Sequence, residues 1–363
     1  MSINLPPSSL PRVVIAGGGF AGLKLAQALD SSLFQIILID HHNYHQFPPL
    51  IYQVASSGLE PSSIAFPFRA AFKRKKNFIF RLANVIGVEP EQKQLITSVG
   101  EVPYDYLVLA CGGTTNYFGN EQVAKHSLPM KTLYESMNLR NVLLQNIEKA
   151  LVSDKPETRE ALLTVAIVGG GPSGVEIAGA LAEMKRYVLP KDYPDMETDQ
   201  FKIHLIDASP RLLQAMSEKS SRTAAEGLTS LGVEIHHNMM VTDYDGRVLT
   251  LSDGTKMNTR TVIWVSGIVA NTVEGIQADS LGRGKRILVD GYNEVQGVPN
   301  VFALGDQCLM TADPSYPQGH PQMAQVAIQQ AALLAKNLKA RLTGGKQQTF
   351  RYKDLGSMAT IGR

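Results

Sequence analysis

Residues 13–29 read VVIAGGGFAGLKLAQAL and residues 165–181 read VAIVGGGPSGVEIAGAL, with nine of the 17 positions identical. A second matching piece follows each copy: FQIILID at 34–40 and FKIHLID at 201–207, with five of seven positions identical. The repeat is therefore a strand, a turn, a helix and a second strand that ends on an acid.

Each part of that unit has a physical reason. Residues 13–16 form a short apolar run, the mark of a buried parallel strand. Gly17, Gly19 and Gly22 follow at G-x-G-x-x-G spacing. The first allows a tight turn, the second lets backbone approach a pyrophosphate, and the third packs helix on strand. A helix over 20–29 begins there, and its unpaired N–H groups and dipole favour phosphate. Asp40, 18 residues after Gly22, ends the next strand, where an acid can accept both ribose hydroxyls of an adenosine. In the second copy Gly169, Gly171 and Gly174 take the same places, with Asp207 as the acid 33 residues after Gly174. The charged, proline-bearing stretch 185–200 explains the longer spacing as a surface insertion.

With 31 glycines in 363 residues, one such glycine pattern would carry little weight. Two copies, each between an apolar strand and a helix and each with a terminal Asp, carry much more. The bland alternatives are glycine turns that only pack helices on sheets and acids that only form turns. Two dinucleotide folds in one chain imply two dinucleotides. The economical pair is a tightly held FAD and a diffusing nicotinamide dinucleotide, with electrons passing between them.

Composition agrees and excludes other classes. Apolar residues make up 44% and charged residues 19%, the balance of an ordinary globular protein. A net charge of +2 gives no reason to expect a nucleic-acid partner. The two cysteines, Cys111 and Cys308, offer neither a disulfide framework nor zinc spacing and suit a reducing cytosol. No apolar run reaches the roughly 20 residues that span a bilayer, and residues 1–10 lack the features of a signal peptide. The eight histidines show no H-E-x-x-H spacing or other ligand set, so no metal is expected.

The rest of the chain fits the same frame. Residues 104–110 (YDYLVLA) read as another buried strand, ended by Cys111, Gly112 and Gly113. Residues 300–304 (NVFAL) read as a further strand, ended by Gly305 and Asp306, with a long helix over 322–342 and a strand-like stretch over 350–353. Asp306 could accept hydrogen bonds from a flavin's ribityl hydroxyls, or it could be only a turn residue before a helix. The helix start near Met323 would offer its positive end to a reduced flavin ring.

Together these pieces resemble the type II NADH:quinone oxidoreductases, single-subunit FAD enzymes among the flavoproteins with two dinucleotide-binding domains. The resemblance covers nearly the whole chain. It is carried by GGGFAG at 17–22, NYHQFPPLIYQVASSGLEP at 43–61, GGGPSGVEIAGALAEM at 169–184 and TVIWVSGI at 261–268. NVFALGD at 300–306, AQVAIQQ at 324–330 and GSMATIGR at 356–363 complete it, the last two being the narrower signals.

By position, the resemblance implies that Gly17, Gly18, Gly19, Phe20, Ala21 and Gly22, with Asp40 and His41, hold the adenosine half of a non-covalently bound FAD. It implies that Val85 touches the adenine side, that Asp306 holds the ribityl chain, and that Ala324 and Gln325 lie against the flavin ring. It assigns Gly169, Gly171, Gly174 and Asp207 to NADH, and Glu176 to the carboxylate near the flavin where nicotinamide and quinone bind. It assigns Gln325 and Gln329 to the quinone pocket. Family members continue past GSMATIGR into a segment that completes the quinone tunnel and carries amphipathic membrane-binding helices. The chain stops at Arg363, so a truncated segment over 350–363, poor turnover with long-chain quinone and an exposed apolar seam are the expectation.

Single residues have plainer readings. Glu176 lies in the first turns of a helix, where a carboxylate suits the dipole. Gln325 and Gln329, four apart, could be solvated glutamines on one helical face. Residues 73–76 (KRKK) could attract anionic lipid but read better as a solvated helix end. Trp264 could be core or a wall near the nicotinamide.

The expected architecture is α/β, with two Rossmann-like domains, the NADH domain inserted into the FAD domain. The FAD domain takes 1–113 and 268–349, and the NADH domain 114–267. The expected activity is an NADH dehydrogenase: hydride from NADH to FAD, then two electrons to a quinone, without proton pumping. The expected location is cytoplasmic, or peripheral on the cytoplasmic face of the inner membrane, and the resemblance allows a homodimer. The rivals are a sulfide:quinone or disulfide-type reductase, which needs paired reactive cysteines, and a flavoprotein that responds to NADH without turning over.

Overall fold

Both copies of the repeated unit fold as strand, glycine turn, helix and strand. The structure, a computed structural model, describes residues 3–362; Arg363, last of the GSMATIGR stretch, lies outside the described residues. In chain order the strands of two parallel sheets are β1 (Arg12–Ala16), β2 (Gln35–Asp40), β3 (Phe78–Leu82), β4 (Tyr106–Leu109) and β5 (Leu128–Pro129). They continue as β6 (Thr164–Val168), β7 (Lys202–Ile206), β8 (Val233–His236), β9 (Thr261–Trp264) and β10 (Val301–Ala303). Three helices position the sites: α1 (Phe20–Ala28), α2 (Pro172–Glu183) and α3 (Ala324–Thr343).

The chain divides into two units. The first takes Met1–His45, Phe66–Thr114 and Ile268–Leu355, and the second takes Gln46–Ala65, Thr115–Gly267 and Gly356–Arg363. Residues 46–65 therefore go with the second unit, and residues 350–355 with the first, unlike the boundaries read from the repeat alone.

In the first unit the sheet order is β10-β4-β1-β2-β3, all parallel. The centre strand β1 is buried from Val13 to Ala16, which is why its run is continuously apolar. On one face α1 and α3 pack through Ala21, Leu25, Ala327, Ala331 and Leu334. These residues recur at helical spacing, and each buried Leu contributes roughly 1.5–3 kcal/mol over an exposed one. Helix α3 starts at Ala324, later than the residue pattern suggested, because Met323 is extended (φ −133°, ψ 150°). It ends at Gly344 in the left-handed conformation (φ 73°).

The second unit repeats the arrangement in the order β5-β9-β6-β7-β8, again all parallel. In both units the strand that precedes the glycine turn sits at the centre, between the strand ending on the acid and a later strand. That is the switch point where α/β sheets bind ligands at their carboxyl edge.

Three local readings need correction. Residues 185–200 are not simply a surface insertion. The helix continues through a π turn at Met184–Val188 into Leu189–Asp192, and Leu189 and Met196 are buried anchors. Residues 350–353 form no strand: Phe350 N–H finds the Gly291 carbonyl at 2.7 Å, but Tyr352 N–H donates to Asp313 Oδ2 at 3.0 Å and Lys353 N–H to Gln329 Oε1 at 3.1 Å, side chains in place of a ladder. The KRKK run follows a short helix as expected, but Lys75 is not merely solvated. Its Nζ donates to the carbonyls of Gln27 (3.0 Å) and Leu29 (2.8 Å) at the carboxyl end of α1. Among the described residues, no helix is long and apolar enough to cross a membrane.

Candidate functional site

The two glycine turns are built alike to the level of single hydrogen bonds. Gly17 N–H donates to Ile39 O and Gly169 N–H to Ile206 O, both at 2.8 Å. Gly17 has φ 103° and Gly169 has φ 119°, where a side chain would be strained. A Cβ at Gly22 would collide with the carbonyl of Gly17, and one at Gly174 with the carbonyl of Gly169. A Cβ at Gly19 or Gly171 would meet nothing within 4 Å. These two glycines cap α1 and α2, and neither helix carries an acid in its first turn. Each turn therefore leaves an open approach to a positive helix end, which fits a pyrophosphate.

The acids repeat the likeness. Asp40 accepts from Gly18 N–H at 2.6 Å through Oδ2 and from His42 N–H at 2.7 Å through Oδ1. Asp207 accepts from Gly170 N–H through Oδ2 and from Ser209 N–H at 2.6 Å through Oδ1. A carboxylate has about four lone-pair sites, so each acid keeps acceptor capacity for ribose hydroxyls. Both cradles thus fit the adenosine end of a dinucleotide.

The first unit carries further parts beside its cradle. Asp306 sits in the turn Gly305–Gln307 at the end of β10, and its carbonyl accepts from Gln322 Nε2 at 2.9 Å. The amino end of α3 follows, with Ala324 and Gln325 in its first turn and no acid there. Val85 is half-buried at the start of the strand Val85–Glu89. His41 is exposed at the rim, its Nδ1 3.6 Å from Asp40 Oδ1.

Three residues to which the sequence reading gave no role hold this site together. His45, buried, sets Nδ1 2.9 Å from Gly18 O and so fixes the glycine turn. Gln307 accepts from Cys111 N–H at 2.9 Å and donates to Asn271 O at 2.8 Å. Gln330 accepts from Gly305 N–H at 2.8 Å. Gln307 and Gln330 are both buried, and a polar residue inside an apolar frame was the sequence signal that could have marked them.

Gln325 and Gln329 are both half-buried, and each has partners within the unit. Gln325 Oε1 accepts from Tyr352 O–H (3.1 Å) and Leu355 N–H (3.2 Å). Gln329 clasps Lys353, donating to its carbonyl (2.8 Å) and accepting from its N–H (3.1 Å). Both glutamines pin the segment 352–355 onto α3.

In the second unit Glu176 lies half-buried on α2, two residues past the glycine turn. Burial raises its carboxyl to about 7, held down in part by a hydrogen bond from Thr360 N–H. Trp264 belongs to the core: it is 5% exposed, and its Nε1 donates to Asn116 O at 2.9 Å. The cysteines are free thiols, and burial pushes Cys111 up to about 12 and Cys308 up to about 11. Neither is poised as a thiolate, so thiol–disulfide chemistry has no activated nucleophile here.

A family model described as pyridine nucleotide-disulphide oxidoreductase matches residues 11–331. The chain is 35% identical to the type II NADH:quinone oxidoreductase Ndh of Mycobacterium tuberculosis, over 100% of this chain and 81% of that protein. It is 33% identical to NdhA of the same organism, over 97% of this chain and 77% of that protein. Among solved structures, NDH2 from Plasmodium falciparum in complex with NADH superposes with a TM-score of 0.90 over 97% of this chain and 88% of that one. At 22% identity that likeness speaks to the fold alone.

Proposed function

The chain belongs to the pyridine nucleotide-disulphide oxidoreductase family and, within it, to the type II NADH:quinone oxidoreductases, and we infer that it carries electrons from NADH through FAD to a quinone. One observation carries the reading at the residue level: two cradles, each with an open glycine at a helix end and an acid with spare acceptor capacity.

FAD is assigned to the first unit, with Gly17 to Gly22 on its pyrophosphate, Asp40 and His41 on its adenosine and Val85 beside the adenine. The turn bearing Asp306 and the amino end of α3 support this assignment, since a flavin needs partners beyond its adenosine half. Bound there, FAD would supply a two-electron acceptor for the nicotinamide hydride and pass the electrons on to quinone. NADH is assigned to the second unit, with Gly169, Gly171 and Gly174 on its pyrophosphate and Asp207 on its ribose.

Hydride transfer needs no protein acid or base, so the residues chiefly bind and orient. The quinone step differs, because quinone takes up two protons. Glu176 is the proton carrier proposed for it, since a carboxyl near 7 both holds and releases a proton around neutral pH. Gln325 and Gln329 are proposed to wall the quinone site through the segment they pin. The reading extends to a peripheral protein on the cytoplasmic membrane surface, where a water-soluble donor meets a lipid-soluble acceptor. A homodimer is the assembly to test, by light scattering.

The test of function is steady-state NADH oxidation with a soluble quinone. Sustained quinol formation is expected. Oxidation that stops after one equivalent of NADH would leave a flavoprotein that responds to NADH without turning over.

A further inference from the structure

We propose that His204, Glu234 and His236 form a binding site for a zinc-class divalent cation on the second unit, separate from both dinucleotide cradles. The strand register creates it. β7 and β8 run side by side in parallel, with His204 opposite Glu234 and Ile206 opposite His236. Glu234 and His236 are two apart on β8, so they share a face, and His204 joins them from β7. His204 Nδ1 lies 3.1 Å from His236 Nε2 and 3.4 Å from Glu234 Oε2. All three ligand atoms lie within 4.8 Å of one another.

Those spacings match what a cation requires. A tetrahedral zinc with bonds of about 2.0–2.1 Å sets its ligand atoms about 3.3 Å apart. Two of the three edges already have that length, so binding needs little rearrangement. Two imidazoles and one carboxylate select zinc, cobalt or nickel over magnesium or calcium, which want more oxygens.

Access and charge also fit. β8 is the edge strand of its sheet, and the Glu234 side chain is 62% exposed, so an ion can enter and a water can take the fourth position. Lys202, two residues before His204 on the same face, is the cation that would oppose it. Its Nζ lies 2.7 Å from Glu160 Oε1, which offsets that charge. One of the two facing ring nitrogens now carries the proton of their hydrogen bond. Metal binding moves that proton to the other nitrogen of the same ring, so two neutral imidazoles remain as ligands. The site adjoins the NADH cradle through backbone, as Asp207 N–H donates to His236 O at 2.9 Å.

The experiment uses tag-free, FAD-loaded protein, treated with chelator and dialysed, then equilibrated with zinc or with magnesium and measured for bound metal. One zinc per chain is expected, with no comparable binding of magnesium. Glu234→Gln and His236→Gln should each weaken zinc binding about tenfold or more while flavin content and NADH oxidation stay at parent levels. Zinc should raise the Tm of the parent and not of the variants. The proposal is overturned if the parent binds no zinc, if magnesium binds as tightly, or if both variants bind zinc as the parent does. Buried His204 is left intact, so a failure to fold does not confuse the result.

Discussion

The backbone N–H of Thr360 hydrogen-bonds to the carboxylate of Glu176, tying residues 356–362 to helix α2 within one unit. The bond favours the ionised carboxyl, while burial favours the neutral one and wins, leaving Glu176 at about 7. If Glu176 gives its proton to quinone, kcat should fall as pH rises through about 7. Glu176→Gln should remove that limb and slow quinone turnover by roughly a hundredfold, with FAD retained. Thr360→Pro removes the donor and should move the limb to higher pH. Profiles of kcat against pH with saturating quinone decide. Identical profiles for all three proteins would leave Glu176 as a residue that only suits the helix dipole.

Stability should follow the same group. The folded pKa is raised from 4.5 to about 7, so the fold favours the protonated form. That stabilisation is fully present below 4.5 and is lost as pH rises through about 7. Glu176→Gln should therefore match the parent Tm in acid and exceed it in mild alkali. A constant difference at every pH would mean that Glu176 is not held neutral by burial.

Donor preference should rest on Asp207. Its carboxylate can accept the 2′-hydroxyl of NADH and repel the phosphate of NADPH. Arg211, a nearby cation that could offset this, is committed to the carbonyls of Met216 (3.1 Å) and Gln214 (2.9 Å). A clear preference for NADH is expected, weakened in Asp207→Ser. Equal kcat/KM for both donors in the parent would remove the role given to Asp207.

Residues 356–362 reach α2 through a glycine. A Cβ on Gly179 would come within 2.8 Å of Gly362 N, whereas one on Gly227 would only touch Ile361 at 3.4 Å. Gly179→Ala should cost about 1–3 kcal/mol and make the segment easier to cleave by protease. Gly227→Ala, inside the helix Glu218–Ser230, should be neutral or stabilise by about 0.4–1 kcal/mol. Paired thermal melts and limited proteolysis test this, and equal behaviour of the two variants would contradict the packing.

The duplicated unit was legible in the sequence because its physics is local. A glycine turn, a helix end and a strand-end acid all lie within one strand–helix–strand span. What was not legible depends on register and distance. His45 meets Gly18 across 27 residues, and Gln330 meets Gly305 across 25. The His204, Glu234 and His236 cluster escaped a search for helical ligand spacing because it arises from two neighbouring parallel strands. Residues 350–353 alternate like a strand, yet Asp313 takes the place of a ladder partner. Gln325 and Gln329 stood out by their spacing, but their bonds to residues 352–355 could only be seen in the fold.

The central claim is that one cradle holds FAD and the other NADH, with electrons passing from the second to the first. The direct test is to identify the flavin released by the purified protein, then follow its visible absorbance during an anaerobic titration with NADH. FAD is expected, and its absorbance should bleach at one NADH per flavin, because a hydride carries two electrons. Release of FMN, no flavin after reconstitution with FAD, or FAD that stays oxidised in excess NADH would contradict the account.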